Sequence, residues 1–203
     1  MSQLTDVLSL LYRYDEDDIA KLAKRLTERR RATWINTLSD LASKHGCTRL
    51  AGTPKGQDAR KLADDSLKDA QSVARTYNRE LASEIARLQR ANPRGNRQYY
   101  ISNLSKWQAR RDSHKIYAIG LNTDASAREY AFQRFYAKNA QIARRFVASG
   151  PPAVCRICLN IFAAGVVDLQ YTRVHPLPAH YLCPHTYSAV APAKADCATL
   201  WLG

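Results

Sequence analysis

"DARKLADDSLKDAQSVARTYNRELASEIARLQRAN", residues 58–92, places Ala63, Leu67, Ala70, Ala74, Tyr77, Leu81, Ile85 and Leu88 at steps of three and four. That spacing returns to one face of a 3.6-residue helix, so an apolar stripe runs through a segment otherwise rich in charge. "NPRG", residues 92–95, closes the run. At 1.5 Å per residue the helix is about 50 Å long. A stripe of that length needs a neighbouring helix or a partner subunit to cover it. The chain is therefore expected to be mainly α, an elongated helical bundle.

The flanking segments extend the pattern. Over residues 15–45, Ile19, Leu22, Leu26, Trp34, Leu38 and Leu41 mark an inner face; the acidic start suits a helix dipole and Gly46 a stop. Residues 1–14 read as a short separate helix and 47–57 as a loop. Residues 97–118 mix Tyr99, Tyr100, Trp107 and Tyr117 with Arg110, Arg111 and Lys115. Basic residues among aromatics can stack single-stranded nucleic acid. No strands or nucleic-acid module accompany them, which favours aromatics packed inward under long basic stems. A last helix is expected over 123–149: Ser126 and Glu129 have capping-box spacing, Phe132, Phe135, Ile142 and Phe146 form the inner face, and Gly150, Pro151 and Pro152 stop it. Arg128, Arg134, Lys138, Arg144 and Arg145 fall opposite. No fixed-period repeat points to a solenoid. The expected organisation is a helical domain over residues 1–150 and a small module with its tail over 151–203.

Composition bounds the chemistry. A chain of 203 residues can bury a real core. Its 31 Lys and Arg against 18 Asp and Glu, net charge +13, draw it to polyanions. No apolar run approaches a membrane span, and the first residues lack a basic end and cleavage site, so a reducing cytoplasm is expected. There, clustered cysteines are metal ligands more often than disulfides.

Four of the five cysteines lie in the last quarter. "CRIC", residues 155–158, offers two thiolates from one knuckle, and "HYLCPH", residues 180–185, offers a second pair. Zinc takes four nitrogen or sulphur ligands in a tetrahedron. The second pair is most simply His180 and Cys183, and His185 can replace His180. His175, just before a proline, reads as a loop histidine. The segment between the clusters, "LNIFAAGVVDLQYTRV", is short, β-branched and broken by glycine, as in a small hairpin. Its only carboxylate is Asp168. Four soft ligands and no adjacent general base describe a structural zinc that staples a segment too small for its own core. Cys47, just past the helix stop, reads as an ordinary packed residue. Cys197 reads as a packed tail residue, with Leu200 and Trp201 as an apolar anchor for this chain or a neighbour.

Residues 122–187 resemble the C-terminal half of the phage head morphogenesis, or minor head protein, family of tailed phages and Mu-like prophages. Family members carry a helix opening with Thr-Glu, a Cys-x-x-Cys followed by a glycine, and a closing Pro-x-His-x-x-Cys-x-Cys. Here Thr123-Asp124 stands for Thr-Glu, Cys155 and Cys158 match the knuckle, and Gly165 matches the glycine. Pro178, His180 and Cys183 match the close, and His185 takes the last cysteine position. The resemblance implies a non-enzymatic virion component in few copies, made in the host cytoplasm and placed at the portal or neck. Its role would lie in head morphogenesis, DNA packaging or ejection. Portal or other head proteins are the implied partners, in copies set by a symmetric ring, with packaged DNA a candidate for the basic faces. The alternative is a zinc-dependent nucleic-acid-binding protein or nuclease, to which His175, His180 and His185 give a foothold.

Overall fold

A computed structural model describes residues 13–153, 155–177, 179, 183–190, 193–194 and 196–203, with the side chains of 112–117 set aside. The helix expected before residue 13, His180, Pro178 and the side chains of Lys115 and Tyr117 lie outside the described residues. The protein is mainly helical, with a small antiparallel sheet of three strands near the C-terminus. In chain order the elements are α1 (Glu16–Lys44), α2 (Gly56–Ala91), α3 (Arg97–Lys138), β1 (Arg145–Ser149), α4 (Arg156–Ala163), β2 (Val166–Asp168), α5 (Leu169–Val174) and β3 (Thr186–Ala189). By packing, the chain divides into two units, Met1–Thr27 with Ala63–Ile119 and Glu28–Leu62 with Gly120–Gly203. The C-terminal segment thus shares its unit with parts of α1, α2 and α3.

In the first unit the stripe of α2 is covered by the start of α3. Tyr77, Leu81, Ile85, Leu88, Tyr100 and Leu104 are buried together, with Tyr14, Tyr99, Ile101 and Trp107 packed against them. The aromatics of residues 97–107 therefore face a core, as the inward-packing reading expects. Arg111 lies 4.5 Å from the centre of the Tyr77 ring and its Nε donates to Glu80 at 2.7 Å, so its stem covers the aromatic flank. Between α2 and α3, the Gly95 amide donates to the Asn92 carbonyl at 3.0 Å, closing the expected turn.

The second unit gathers Trp34, Leu38, Leu62, Phe132, Phe135, Tyr136, Phe146, Ile161, Leu177, Tyr187, Leu200 and Leu202 into one core. At the end of α1, Gly46 has φ +84 and the Cys47 amide donates back to the Ala42 carbonyl at 3.0 Å, the glycine-stopped helix end expected there.

Two helix boundaries differ from expectation. Residues 97–118 and 123–138 are one helix, not two. Gly120 costs about 1 kcal/mol against alanine inside a helix but does not break it, and its bare Cα admits the Arg29 guanidinium, which stands 3.2 Å from where a Cβ would be. Asp124, which could have capped a new helix, is held by Arg29 at 2.6 and 2.8 Å and by Thr33 at 3.1 Å. The expected helix also stops early. Asn139, buried just past Lys138, takes the Trp201 amide at 2.9 Å on its Oδ1, and its Nδ2 donates to the Phe135 carbonyl at 2.9 Å. The chain then turns, and "RFVAS", residues 145–149, becomes the central strand with Phe146 and Ala148 inward. The sheet order is β2-β1-β3, with Phe146 facing Val167 on one side and Ala189 on the other.

The hairpin expected between the two ligand clusters is replaced by α4, β2 and α5. Cys158 and Ile161, three residues apart, give α4 its buried face, and Gly165 at φ +65 ends it. The tail is tied into its own unit: Cys47 and Cys197 form a disulfide across 150 residues, which corrects the reading of both as unpaired packed thiols. The Gly52 amide donates to the Leu202 carbonyl at 2.8 Å, and Leu200 and Leu202 are buried.

Candidate metal centre

The start of α4 positions the knuckle. Cys155 is its N-cap, in extended backbone, and the Cys155 Sγ accepts the Cys158 amide at 3.3 Å. This local bond turns the chain so that both sulphurs of Cys-x-x-Cys sit at the first turn, where the helix dipole favours thiolate. The second cluster arrives on the segment leading into β3. Cys158, Cys183 and His185 are all buried, and their ligand atoms lie within 4.8 Å of one another. The Sγ atoms of Cys158 and Cys183 are 3.5 Å apart, and Cys183 Sγ is 3.4 Å from His185 Nδ1.

These spacings suit a cation. With Zn–S bonds of about 2.3 Å and Zn–N bonds of about 2.0 Å, the edges of a tetrahedron come to roughly 3.5–3.8 Å. Cys155, Cys158 and Cys183 are thiols and not disulfides. Burial, with the thiols of Cys155 and Cys183 beside it, pushes the Cys158 thiol up to about 12, so the bare cluster resists ionisation. A divalent cation would reverse that balance. The imidazole is also oriented for ligation: His185 Nε2 donates to the Pro151 carbonyl at 2.9 Å, leaving the Nδ1 lone pair toward the sulphurs. Phe162 meets the ring edge-on with centres 5.0 Å apart, and Gly150 approaches it from behind.

The structure therefore brings together Cys158, Cys183 and His185, with Cys155 bonded to the knuckle, and His185 is the imidazole of the cluster among the described residues. His180 lies outside them. His175 stays out of the cluster; it caps the end of α5, its carbonyl accepts the Tyr187 hydroxyl at 2.7 Å, and its ring lies against Tyr171. Asp168 is the N-cap of α5, accepting the Tyr171 amide at 2.7 Å.

One neighbouring residue was not singled out in the sequence as a site residue. Glu129, expected to sit in a capping box, is instead inside the C-terminal part of α3 and lines a cavity with Cys183 and His185. It is only 8 % exposed, and burial raises its carboxyl to about 7, although a hydrogen bond from Gln133 opposes the shift. Nothing in sequence spacing marks it, because the wall it faces arrives 54 to 57 residues later with Cys183 to Thr186. No helix among the described residues is long and apolar enough to cross a membrane. No protein-family model matches the chain, and no curated protein or solved structure matches it either.

Proposed function

We propose that the protein is a minor head component of a tailed phage or prophage, and that Cys155, Cys158, Cys183 and His185 hold a structural zinc ion in its C-terminal segment. The observation that carries the metal reading is the convergence of three buried soft ligands at tetrahedral spacing. Cys155, at the same knuckle, would supply the third sulphur as the fourth ligand and close the coordination. A closed, soft-ligand shell leaves the ion no open position for water, so its contribution is to folding and not to turnover.

The head-protein reading is supported by the resemblance over residues 122–187, in which these ligands fall on the motif positions. Structure adds a role for the motif's Thr123-Asp124: the threonine is buried and the aspartate ties α3 to Arg29 and Thr33 of α1. In this reading the mechanism is binding. Helix faces dock on portal or neck subunits, the net charge of +13 suits acidic protein or DNA nearby, and the zinc keeps the terminal segment in shape.

Particles purified after induction of the encoding genome provide the test. Mass spectrometry should find the chain in them at a few copies per particle, with stoichiometric zinc in the isolated protein. Its absence from particles would remove the virion assignment. Plasmid cleavage that depends on added divalent metal, and is lost in His185→Ala, would replace that assignment with the nuclease alternative.

A further inference from the structure

The positive charge of the chain is concentrated in the first unit. Residues 75–111, which run from the second half of α2 through the turn into α3, hold nine Lys and Arg against only Glu80 and Glu84, so +7 of the chain's +13 sits in this one hairpin. Both acids are engaged. Glu84 accepts the Arg87 guanidinium on its two oxygens at 2.7 and 2.8 Å, and Glu80 accepts Arg111 Nε at 2.7 Å. The charge of Arg110 acts on Glu84 as well. An open groove of about 450 Å³ follows this face, lined by Arg79, Ser83, Arg87 and Arg90 of α2 together with the two acids, and by Trp107 of α3. Arg79, Arg87 and Arg90 keep to one side of α2 over roughly 16 Å of its length. Arg79 and Arg90 are exposed and have no ion-pair partner among the described residues. Trp107 is half-buried: its ring centre is 5.6 Å from that of Tyr77, which holds the indole in place, and its remaining surface lines the groove.

We propose that this groove binds single-stranded nucleic acid, with one base stacked on Trp107 and the flanking phosphates on Arg79, Arg87 and Arg90. A local excess of cations selects a polyanion, and the planar guanidinium fork matches phosphate oxygens. The indole narrows the choice further. A single strand presents unstacked bases to an aromatic ring, whereas a duplex keeps its bases covered and an acidic peptide would leave the ring without a partner. Packed helices stand about 8–10 Å apart, so the crevice between α2 and α3 is narrower than a duplex. This inference concerns the first unit alone; it rests on neither the zinc nor the virion reading and survives the failure of both.

The test titrates the full zinc-loaded chain into a fluorescein-labelled oligothymidine over a range of salt and reads binding by anisotropy. A strand of the same length and charge built from abasic sites should bind roughly 5- to 150-fold more weakly, the loss expected for one stacked base. Trp107→Leu should bind the two strands alike. Because the abasic strand tests stacking on the unaltered protein, the result does not depend on how well that variant folds. Arg79→Gln combined with Arg90→Gln should lower the slope of log affinity against log salt by about 1.4, at about 0.7 per phosphate on a single strand. Arg144→Gln combined with Arg173→Gln, equally exposed but in the second unit, removes the same charge and should leave the slope unchanged. Equal affinity for the abasic strand would remove the stacked base, and an equal fall in slope from the second-unit pair would mean diffuse attraction to the whole chain. Tighter binding of a duplex or of polyglutamate of the same length would give the groove to another partner. Each of these results overturns the proposal.

Discussion

At Gly150 the backbone has φ +140, and the point where a Cβ would sit is 2.9 Å from His185 Cδ2 and 3.3 Å from its Cα. An alanine there must adopt a conformation costing on the order of 1–3 kcal/mol and must also displace the imidazole. Gly150→Ala should therefore lower both stability and zinc affinity, measured by denaturant unfolding and by competition with a chromophoric chelator. A variant that holds zinc as tightly as the parent would show that the close approach is incidental. Glu129 supplies a second test. Its carboxyl rises from 4.5 to about 7 on burial, so the folded protein holds a proton that the unfolded chain releases. Folded stability is then greatest below pH 4.5 as far as this group is concerned, and it is lost as pH rises through 7. The loss is on the order of 3 kcal/mol. Glu129→Gln should flatten this part of the pH profile and be the more stable protein at pH 8. Equal slopes in the two proteins between pH 5 and 8 would show that the carboxyl titrates normally.

Among the elements, α4 joins sequence to site most directly. "CRIC" was legible as a knuckle because its two sulphurs and its capping bond are local, set within four residues. The helix that follows it was not, because three β-branched or aromatic residues and a glycine read equally well as a hairpin until Cys158 and Ile161 find a core to face. The same distinction explains α3. Periodicity located its inner face, Phe132 and Phe135, but Ser126 and Glu129 mimicked a cap. Only the distant Arg29 and Thr33 occupy Asp124 and let the helix run through. Cys158→Ser should remove one buried ligand, release zinc and unwind α4, read as lost metal by elemental analysis and lost amide protection over residues 156–163. Retained metal would move the centre elsewhere. At the far end of α3, Asn139 makes three hydrogen bonds, to the Phe135 carbonyl and to both backbone groups of Trp201. Asn139→Ala should cost roughly 2–4 kcal/mol at about 1 kcal/mol per bond, seen as an earlier urea midpoint. A change below a few tenths would mean that the tail holds without it.

Over the whole molecule, helical class and most core positions followed from apolar spacing, because the 3.6-residue period is a local property. The unit boundaries and the disulfide could not follow from it. Cys47 and Cys197 are 150 residues apart, and nothing in their neighbours selects one cysteine pairing over another. Removal of metal by chelation should strip amide protection from β1 and β3 while Leu81, Leu88 and Leu104 keep theirs in hydrogen exchange. Uniform loss of protection would show that the ion stabilises both units. The second unit also has a demanding construction order. Its core opens at Trp34 and Leu38 yet is closed by Leu200 and Leu202, so during translation it stays unfinished until those last leucines clear the ribosome exit tunnel. Throughout that interval the inner faces of the nascent helices are open to chaperones and to neighbouring chains on the same messenger, and slowing translation late in the message would lengthen it.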